Sequence, residues 1–467
     1  MRKNSLCSAL MIVCSLFFFS ISVHAEGSNP PLAEMKETIT ATALEYDIPP
    51  EILKAIAYVE TGYKQFDEDG NPIISPDGGI GMMQVTPNNI DVPNVDEELL
   101  ANDIEYNITI AAQVLNDKWN LAFIPKVNDG DRHSLEDWYF AVMAYNGLAK
   151  DNDPNLYPGS AYQERIYNRI AGSSLIYWSA DYFEFPVFDI RYEDGDETMK
   201  FPEGVDYTTE TVTPTQQMYQ SGEITYLDPR DGAVNLYVGS ISGNERVQML
   251  PYTPLRVTGE RDESPKMDND FIYYHVNSVT TDGYISSAYL NEGSEDIVFS
   301  DPIEDERAAA LAYLSMNNYV NGYLDGSFGS GDKLKREHVA VILDRILDME
   351  MPSGYELKAD DVDSDHRYYE EIAKAEYNGY LGVGGKIRPT EYLTRAQMAS
   401  VMVRAFNDYY NEPTTEHTFE DQDSIWTYET INKIYYNEVT IADPFRPSED
   451  ITRSQFALFL YRTLVEY

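Results

Sequence analysis

The chain has 467 residues, 79 of them Asp or Glu against 34 Lys or Arg, for a formal charge of −45. Its length calls for two to four domains, and its charge argues against nucleic acid or an anionic bilayer as partner, since both would repel it. With 43% hydrophobic residues it is too apolar for general disorder.

Residues 1–25 read as a secretory signal: Arg2 and Lys3 precede an apolar core from Leu10 to Ile21, and Val23-His24-Ala25 offers a small-residue cleavage site. That core is too short to span a membrane. Cleavage removes both cysteines, Cys7 and Cys14, and takes the formal charge to −47. An exported chain without cysteine has no disulfide, thiol nucleophile or thiolate metal site. It points to an exoprotein of a single-membrane, Gram-positive bacterium, with no membrane span once the signal is gone.

From residue 32 to 180 helical periodicity dominates. "EILKAIAYVETGY", Glu51 to Tyr63, sets Ile52, Leu53, Ile56, Ala57 and Val59 on an apolar stripe. Stepping by four along that stripe leads to Glu60. Two readings are open: a glutamate reaching solvent from a last turn before Gly62, or an acid projecting into an apolar-floored cleft. In the second, partial burial would keep the carboxyl protonated and able to protonate a glycosidic oxygen.

The residues that follow carry a resemblance. After Glu60-Thr61 comes "SPDGGIGMMQVTP", Ser75 to Pro87, then "YNITIAAQVL" with Asn107, "AYNGL" at Ala144 to Leu148, and a Tyr162–Ile166 ending. This set resembles the lytic transglycosylases of the lysozyme-like superfamily, of the soluble-transglycosylase (SLT) type. The departures are Thr61 for Ser, Ala111 for Gly, and a glycine one place early after Asn146. The resemblance implies a mainly-α lysozyme-like fold that cleaves the MurNAc–GlcNAc β-1,4 bond of peptidoglycan glycan strands, a lyase-type reaction forming 1,6-anhydro-MurNAc. It implies Glu60 as the sole acid and then base, the substrate's N-acetyl group stabilising charge, Ser75 bonded near the acid, Gly81, Met83 and Gln84 along the sugar subsites, and Tyr145 and Asn146 orienting the N-acetyl group. No cofactor or metal is required. A hydrolytic muramidase using Asp67, Asp69 or Asp77 is the nearest alternative; a non-catalytic S-layer protein whose head only binds glycan is another.

Residues 181–220, acidic and Pro-punctuated, read as a linker. Residues 221–292 show short alternating runs ("AVNLYVG", "RVQMLP", "PLRVTGE", "FIYYHV", "GYISSAYL") that predict a small all-β domain. It resembles a bacterial SH3-like barrel, with wall binding or a passive spacer as its role.

The final stretch repeats. "LKREHVA", "LTRAQMA" and "ITRSQFA" align without gaps and place Arg336, Arg395 and Arg453 at separations of 59 and 58, while Asp301, Asp361 and Asp421 open units 60 apart. Three helix–loop–helix units are expected, at 299–345, 357–406 and 417–467. Thr394 with Gln397 and Thr452 with Gln455 predict capping boxes, which put each arginine in a first helical turn, where it could clamp an anion or pair with a nearby acid. These units resemble S-layer homology (SLH) repeats. The resemblance implies an all-α pseudo-threefold bundle binding pyruvylated secondary cell-wall polysaccharide through the three arginines, hence a secreted protein held on the cell wall. Lys335 in place of Thr, and "NEVTIADPF" without the turn glycine, mark two of the units as irregular.

Overall fold

A computed structural model describes residues 27–87, 92–175, 183–302 and 304–465; the signal reading lies outside them. Among the described residues no helix is long and apolar enough to cross a membrane.

The N-terminal head is built from α1 (Leu32–Glu45), α2 (Pro50–Thr61), α3 (Glu97–Asn102), α4 (Ile104–Trp119), α5 (Tyr139–Asn146) and α6 (Tyr162–Ser173). Proline opens the first turn of α2, where its missing N–H is no loss, and Gly62 at φ 65° closes it. Every residue from Pro50 to Ala57 is buried, so α2 runs through the middle of the molecule rather than lying on it. The apolar stripe packs into the head core with Ile39, Ile108 and Met143. The opposite face carries Glu51 and Lys54, both with no exposed surface, and these are met by the next module.

That module is a seven-stranded antiparallel sheet: β1 (Ile224–Leu227), β2 (Val234–Tyr237), β3 (Arg246–Met249), β4 (Pro254–Glu263), β5 (Ile272–Asn277), β6 (Asp282–Ser286) and β7 (Leu290–Glu292), in the order β3-β2-β6-β5-β4-β1-β7. Closure into the expected SH3-like barrel is not seen: among the described residues the sheet is open, with β3 and β7 at its edges. A break in register between Val257 and Arg261, spanning Gly259 at φ 98°, bends the long β4. One half of β4 pairs β1 while its far end reaches the head.

There Lys54 Nζ meets Glu263 at 2.6 Å and Lys36 Nζ meets Asp270 at 2.9 Å, each pair at most 1% exposed. Arg169 of α6 also bonds Asp270, at 2.6 Å. Tyr63, just past α2, donates to Asp270 at 2.8 Å, and Thr40 to Glu263 at 2.6 Å. Head and sheet share one buried polar joint.

The stretch read as an acidic linker packs on the head. Its acids face water, but Phe185 and Phe188 stack on Tyr139, and Tyr207 on Phe140. Leu135 N–H donates to the Thr213 carbonyl at 2.9 Å, and Glu51 accepts from Thr215 and the Gln216 N–H. Scattered aromatics anchor it without any periodic element, so composition alone reads as linker.

The C-terminal unit holds three helix–loop–helix repeats, α7 (Asp305–Met316) and α8 (Arg336–Leu347), α9 (Tyr369–Tyr377) and α10 (Arg395–Ala405), and α11 (Tyr428–Tyr436) and α12 (Arg453–Leu464). Their helices pack between repeats: α8 on α9, α10 on α11 and α12 back on α7. Three backbone bonds close a ring: Leu334 N–H to Ile451 O at 3.0 Å, Ile451 N–H to Leu393 O at 2.9 Å, and Leu393 N–H to Leu334 O at 3.1 Å. Asp301, Asp361 and Asp421 each accept two backbone N–H groups from the loop of their own unit. Capping boxes form at Thr394/Gln397 and Thr452/Gln455, and none forms at Lys335.

Candidate active site

Glu60 sits on the last turn of α2 and lines a cleft of about 650 Å³. Tyr162, the first residue of α6 and buried, donates its hydroxyl to Glu60 Oε1 at 2.7 Å. Desolvation is the largest influence on Glu60 and raises its pKa above the usual carboxylate range. The Tyr162 hydrogen bond and the Arg165 charge pull it down, and the negative charge of Asp77 pushes it up. A protonated Glu60 would keep Oε1 as acceptor for Tyr162 and leave the proton on Oε2. Of the two readings of this glutamate, the geometry is that of the cleft.

The loop from Ser75 to Pro87 forms the facing wall. Gln65 and Asn107, both buried, pin it to the helices. Gln65 Oε1 accepts from Met82 N–H at 2.7 Å, and its Nε2 donates to Leu100 and Ala101 carbonyls. Asn107 Oδ1 accepts from Met83 N–H at 2.9 Å, and its Nδ2 donates to Ile80 and Leu100 carbonyls. Thr61 Oγ donates to the Met82 carbonyl at 3.0 Å and joins the end of α2 to the loop.

Ser75, Gln84, Tyr145 and Asn146 line the cleft with Glu60. Ser75 makes its hydrogen bonds away from the acid: it donates to Asp77 and accepts from Gly79 N–H. Gln84, at φ 50°, donates to the Gly81 carbonyl at 2.7 Å. Tyr145 donates to the Met83 carbonyl at 2.8 Å, and burial together with the nearby Glu60 charge keeps its phenol un-ionised. Asn146 closes α5 and accepts from Asn152 at 2.8 Å; Gly147, at φ 105°, is the stop, which accounts for a glycine directly after Asn146.

Two expected subsite residues lie elsewhere. Met83 is fully buried in the head core and reaches the cleft only through its carbonyl's bond to Tyr145. Gly81, at φ 72°, is a packing glycine, since a Cβ there would stand 2.3 Å from Asn107 Nδ2. Residues that the sequence did not single out as site members join instead: Lys118, Asp151 and Arg165 line the cleft beside Tyr162. Tyr162 stood in the motif ending, and its place at a helix start was the available signal. Of the three candidate second carboxylates, Asp77 alone lines the cleft, where the Ser75 hydroxyl holds its pKa below the ordinary value. Asp67 caps its own turn through Asp69 and Asn71 N–H groups.

The arginines of the C-terminal unit each reach the loop of the next unit around the ring. Arg336 Nε donates to the Ile387 carbonyl, Arg395 Nε to Phe445 at 2.7 Å, and Arg453 Nε to Phe328 at 3.0 Å. Beyond that they differ. Arg336 opens on a cavity of about 490 Å³ with Thr390 and Tyr392, and Arg453 on one of about 180 Å³ with His338 and Tyr368. Arg395 is 3% exposed and packs its guanidinium on Phe445 and Phe459. At least one inactive position was expected from the irregular first and third units; the closed arginine is instead Arg395 of the regular second unit, and Arg336 and Arg453 stand open.

Residues 37–163 match the family model of the transglycosylase SLT domain. Residues 360–399 and 418–457 match that of the S-layer homology domain; the 299–345 unit lies outside those ranges. An endoglucanase of Bacillus sp. (strain KSM-635) is 28% identical over 190 residues, covering 37% of this chain and 19% of that protein's length. SLH domains imply association with the bacterial cell surface, and no helix described here spans a membrane. The chain thus carries a helical transglycosylase SLT domain at its N-terminal end and two S-layer homology domains at its C-terminal end.

Proposed function

We propose that this protein is a secreted lytic transglycosylase of peptidoglycan, held on the wall of a Gram-positive bacterium by its C-terminal unit. The observation that carries this reading is one desolvated carboxylic acid, Glu60, facing a cleft within the matched SLT range. Glu60 Oε2 gives its proton to the oxygen between N-acetylmuramic acid and N-acetylglucosamine as the C1–O bond breaks. The substrate's acetamido oxygen bears the developing positive charge at C1. Glu60, now a carboxylate held by Tyr162, takes the proton of the muramic C6 hydroxyl, and O6 bonds C1 to form the 1,6-anhydro ring. Asn146 supplies an exposed amide and Gln84 a cleft-facing one to seat the sugars.

Wall retention falls to the open positions beside Arg336 and Arg453, whose guanidinium groups suit a pyruvyl carboxylate on secondary wall polysaccharide. Such local contacts let a strongly acidic chain stay on an anionic wall, where salt screens repulsion beyond about 8–10 Å.

Purified sacculi digested with the wild-type chain should yield muropeptides lighter by one water than a hydrolase would give. Glu60→Gln should lower release by about 10²–10⁴-fold while leaving sedimentation with walls unchanged. Unshifted product masses would indicate hydrolysis, for which Asp77 is the carboxylate at hand. Full activity in Glu60→Gln would overturn the assignment of the acid.

A further inference from the structure

Behind the catalytic cleft lies a second groove of about 770 Å³, between the end of α2, the outer face of α6 and the β4–β5 loop. Val59 and Arg165 line both cavities, so the two meet directly beside Glu60. Its charged lining residues are Lys64, Arg165 and Arg169, all cations, and no carboxylate lines it. In a chain whose acids outnumber its bases 79 to 34, such a patch runs against composition.

Arg169 is fixed in place: its guanidinium lies 3.6 Å from the ring centre of Tyr58 and donates to Asp270 and to the Met267 carbonyl. Lys64 and Arg165 are exposed, and among the described residues no carboxylate forms an ion pair with either. Thr61, Asn168 and Ser173 add amide and hydroxyl groups along the same walls. The groove is thus a shallow, half-polar trough with Lys64 on its open side and Arg165 at the junction with the cleft, within reach of the Glu60 charge.

We infer that this groove holds the acidic peptide stem borne by the muramic sugar, an inference that rests on the glycan-cleaving reading. A strand seated with its muramic C1 at Glu60 carries a lactyl-linked peptide on that same sugar, and the stem needs an exit. The peptide's free carboxylates match Lys64 and Arg165, and its amides match Asn168 and Ser173. A strand stripped of its stems keeps one lactyl carboxylate on each muramic sugar, whereas a stem adds further carboxylates and a run of amides, so the groove favours the stem-bearing strand. The β module contributes Met267 to the groove, so the sheet takes part in choosing the substrate as well as in bracing the head.

The test compares cleavage of stem-bearing strands with strands stripped of stems by an amidase, for the wild-type chain, Lys64→Glu and Asn168→Asp. Wild type should favour stem-bearing strands, and Lys64→Glu should reduce that ratio about five- to tenfold, with a weaker loss in Asn168→Asp. Equal rates on both strands, unmoved by either variant, would overturn the inference while leaving the enzyme reading intact. If wild type cuts neither strand, the enzyme reading falls, and binding of a fluorescently labelled free stem pentapeptide decides the groove. Saturable binding weakened by Lys64→Glu upholds it, and absence of binding overturns it.

Discussion

Replacing Lys54 by Met isolates the joint between head and sheet. Lys54 Nζ places its three donors on Glu263 Oε1 at 2.6 Å, Gln217 Oε1 at 3.1 Å and the Asp270 carbonyl at 3.2 Å. At 2.6 Å and an effective dielectric of 20, the Coulomb attraction to Glu263 is about 6 kcal/mol, largely offset by the cost of drying both charges. The variant leaves Glu263 buried with Thr40 as its remaining side-chain donor and Oε2 unpartnered. Breaking one side of such a pair costs about 3–5 kcal/mol, a melting-point drop on the order of 10 °C for a unit the size of head plus sheet. Lys54→Met/Glu263→Leu should recover most of the loss, since an apolar pair of similar volume fills the site.

The pH dependence carries a sign. Burial already raises the Glu263 pKa, and Lys54 opposes that rise; without Lys54 it goes further up. A carboxyl whose folded pKa exceeds its unfolded value of about 4.3 gives stability that is complete below the unfolded value and lost as pH rises through the folded one. The deficit of Lys54→Met against the double variant should therefore be largest at neutral pH and shrink toward about pH 5. Differential scanning calorimetry at two pH values reads both quantities. A single variant that melts with the wild type at neutral pH, or a deficit equal at both, would refute the reasoning.

Tyr162→Phe removes the donor that favours ionised Glu60, so the pKa of Glu60 should rise further. With Glu60 as the proposed acid, the alkaline limb of the kcat/KM profile should move to higher pH, and an unmoved limb would deny the Tyr162–Glu60 coupling. In wall-sedimentation assays Arg336→Ala with Arg453→Ala should release the protein. Arg395→Ala should instead cost about 1–3 kcal/mol of stability, from the lost Phe445 bond and ring contacts, with binding retained. Equal release by all three substitutions would contradict the closed position of Arg395.

Much of the head was legible because its signals are local. The α2 pattern, the turn glycines and the Ser75–Pro87 motif each depend on neighbours a few residues away. Met83 and Gly81 misled for the same reason: a motif marks them as members of the loop without saying which faces the cleft. Met83 turns inward because Asn107, 24 residues on, holds its N–H. The buried charges of α2 were invisible as such, since Lys54 and Glu51 find their partners 209 and 164 residues away. The strands of the β module could be read from alternation, but not whether its edges meet, because closure depends on how far β4 bends at Gly259. The C-terminal units were readable from their period, whereas the unequal fates of their arginines follow from packing, chiefly of Phe445 and Phe459 against Arg395.

The ring of Leu334, Ile451 and Leu393 has a consequence for how the anchor comes apart. In an open array of repeats, end units can peel away while the rest stand. Here every unit both gives and receives a rim bond, so there is no end from which fraying can start. Under the pull of a growing wall the C-terminal unit should hold as a single latch until it fails at once, and a chain cut after the second unit should lose more than a third of its grip.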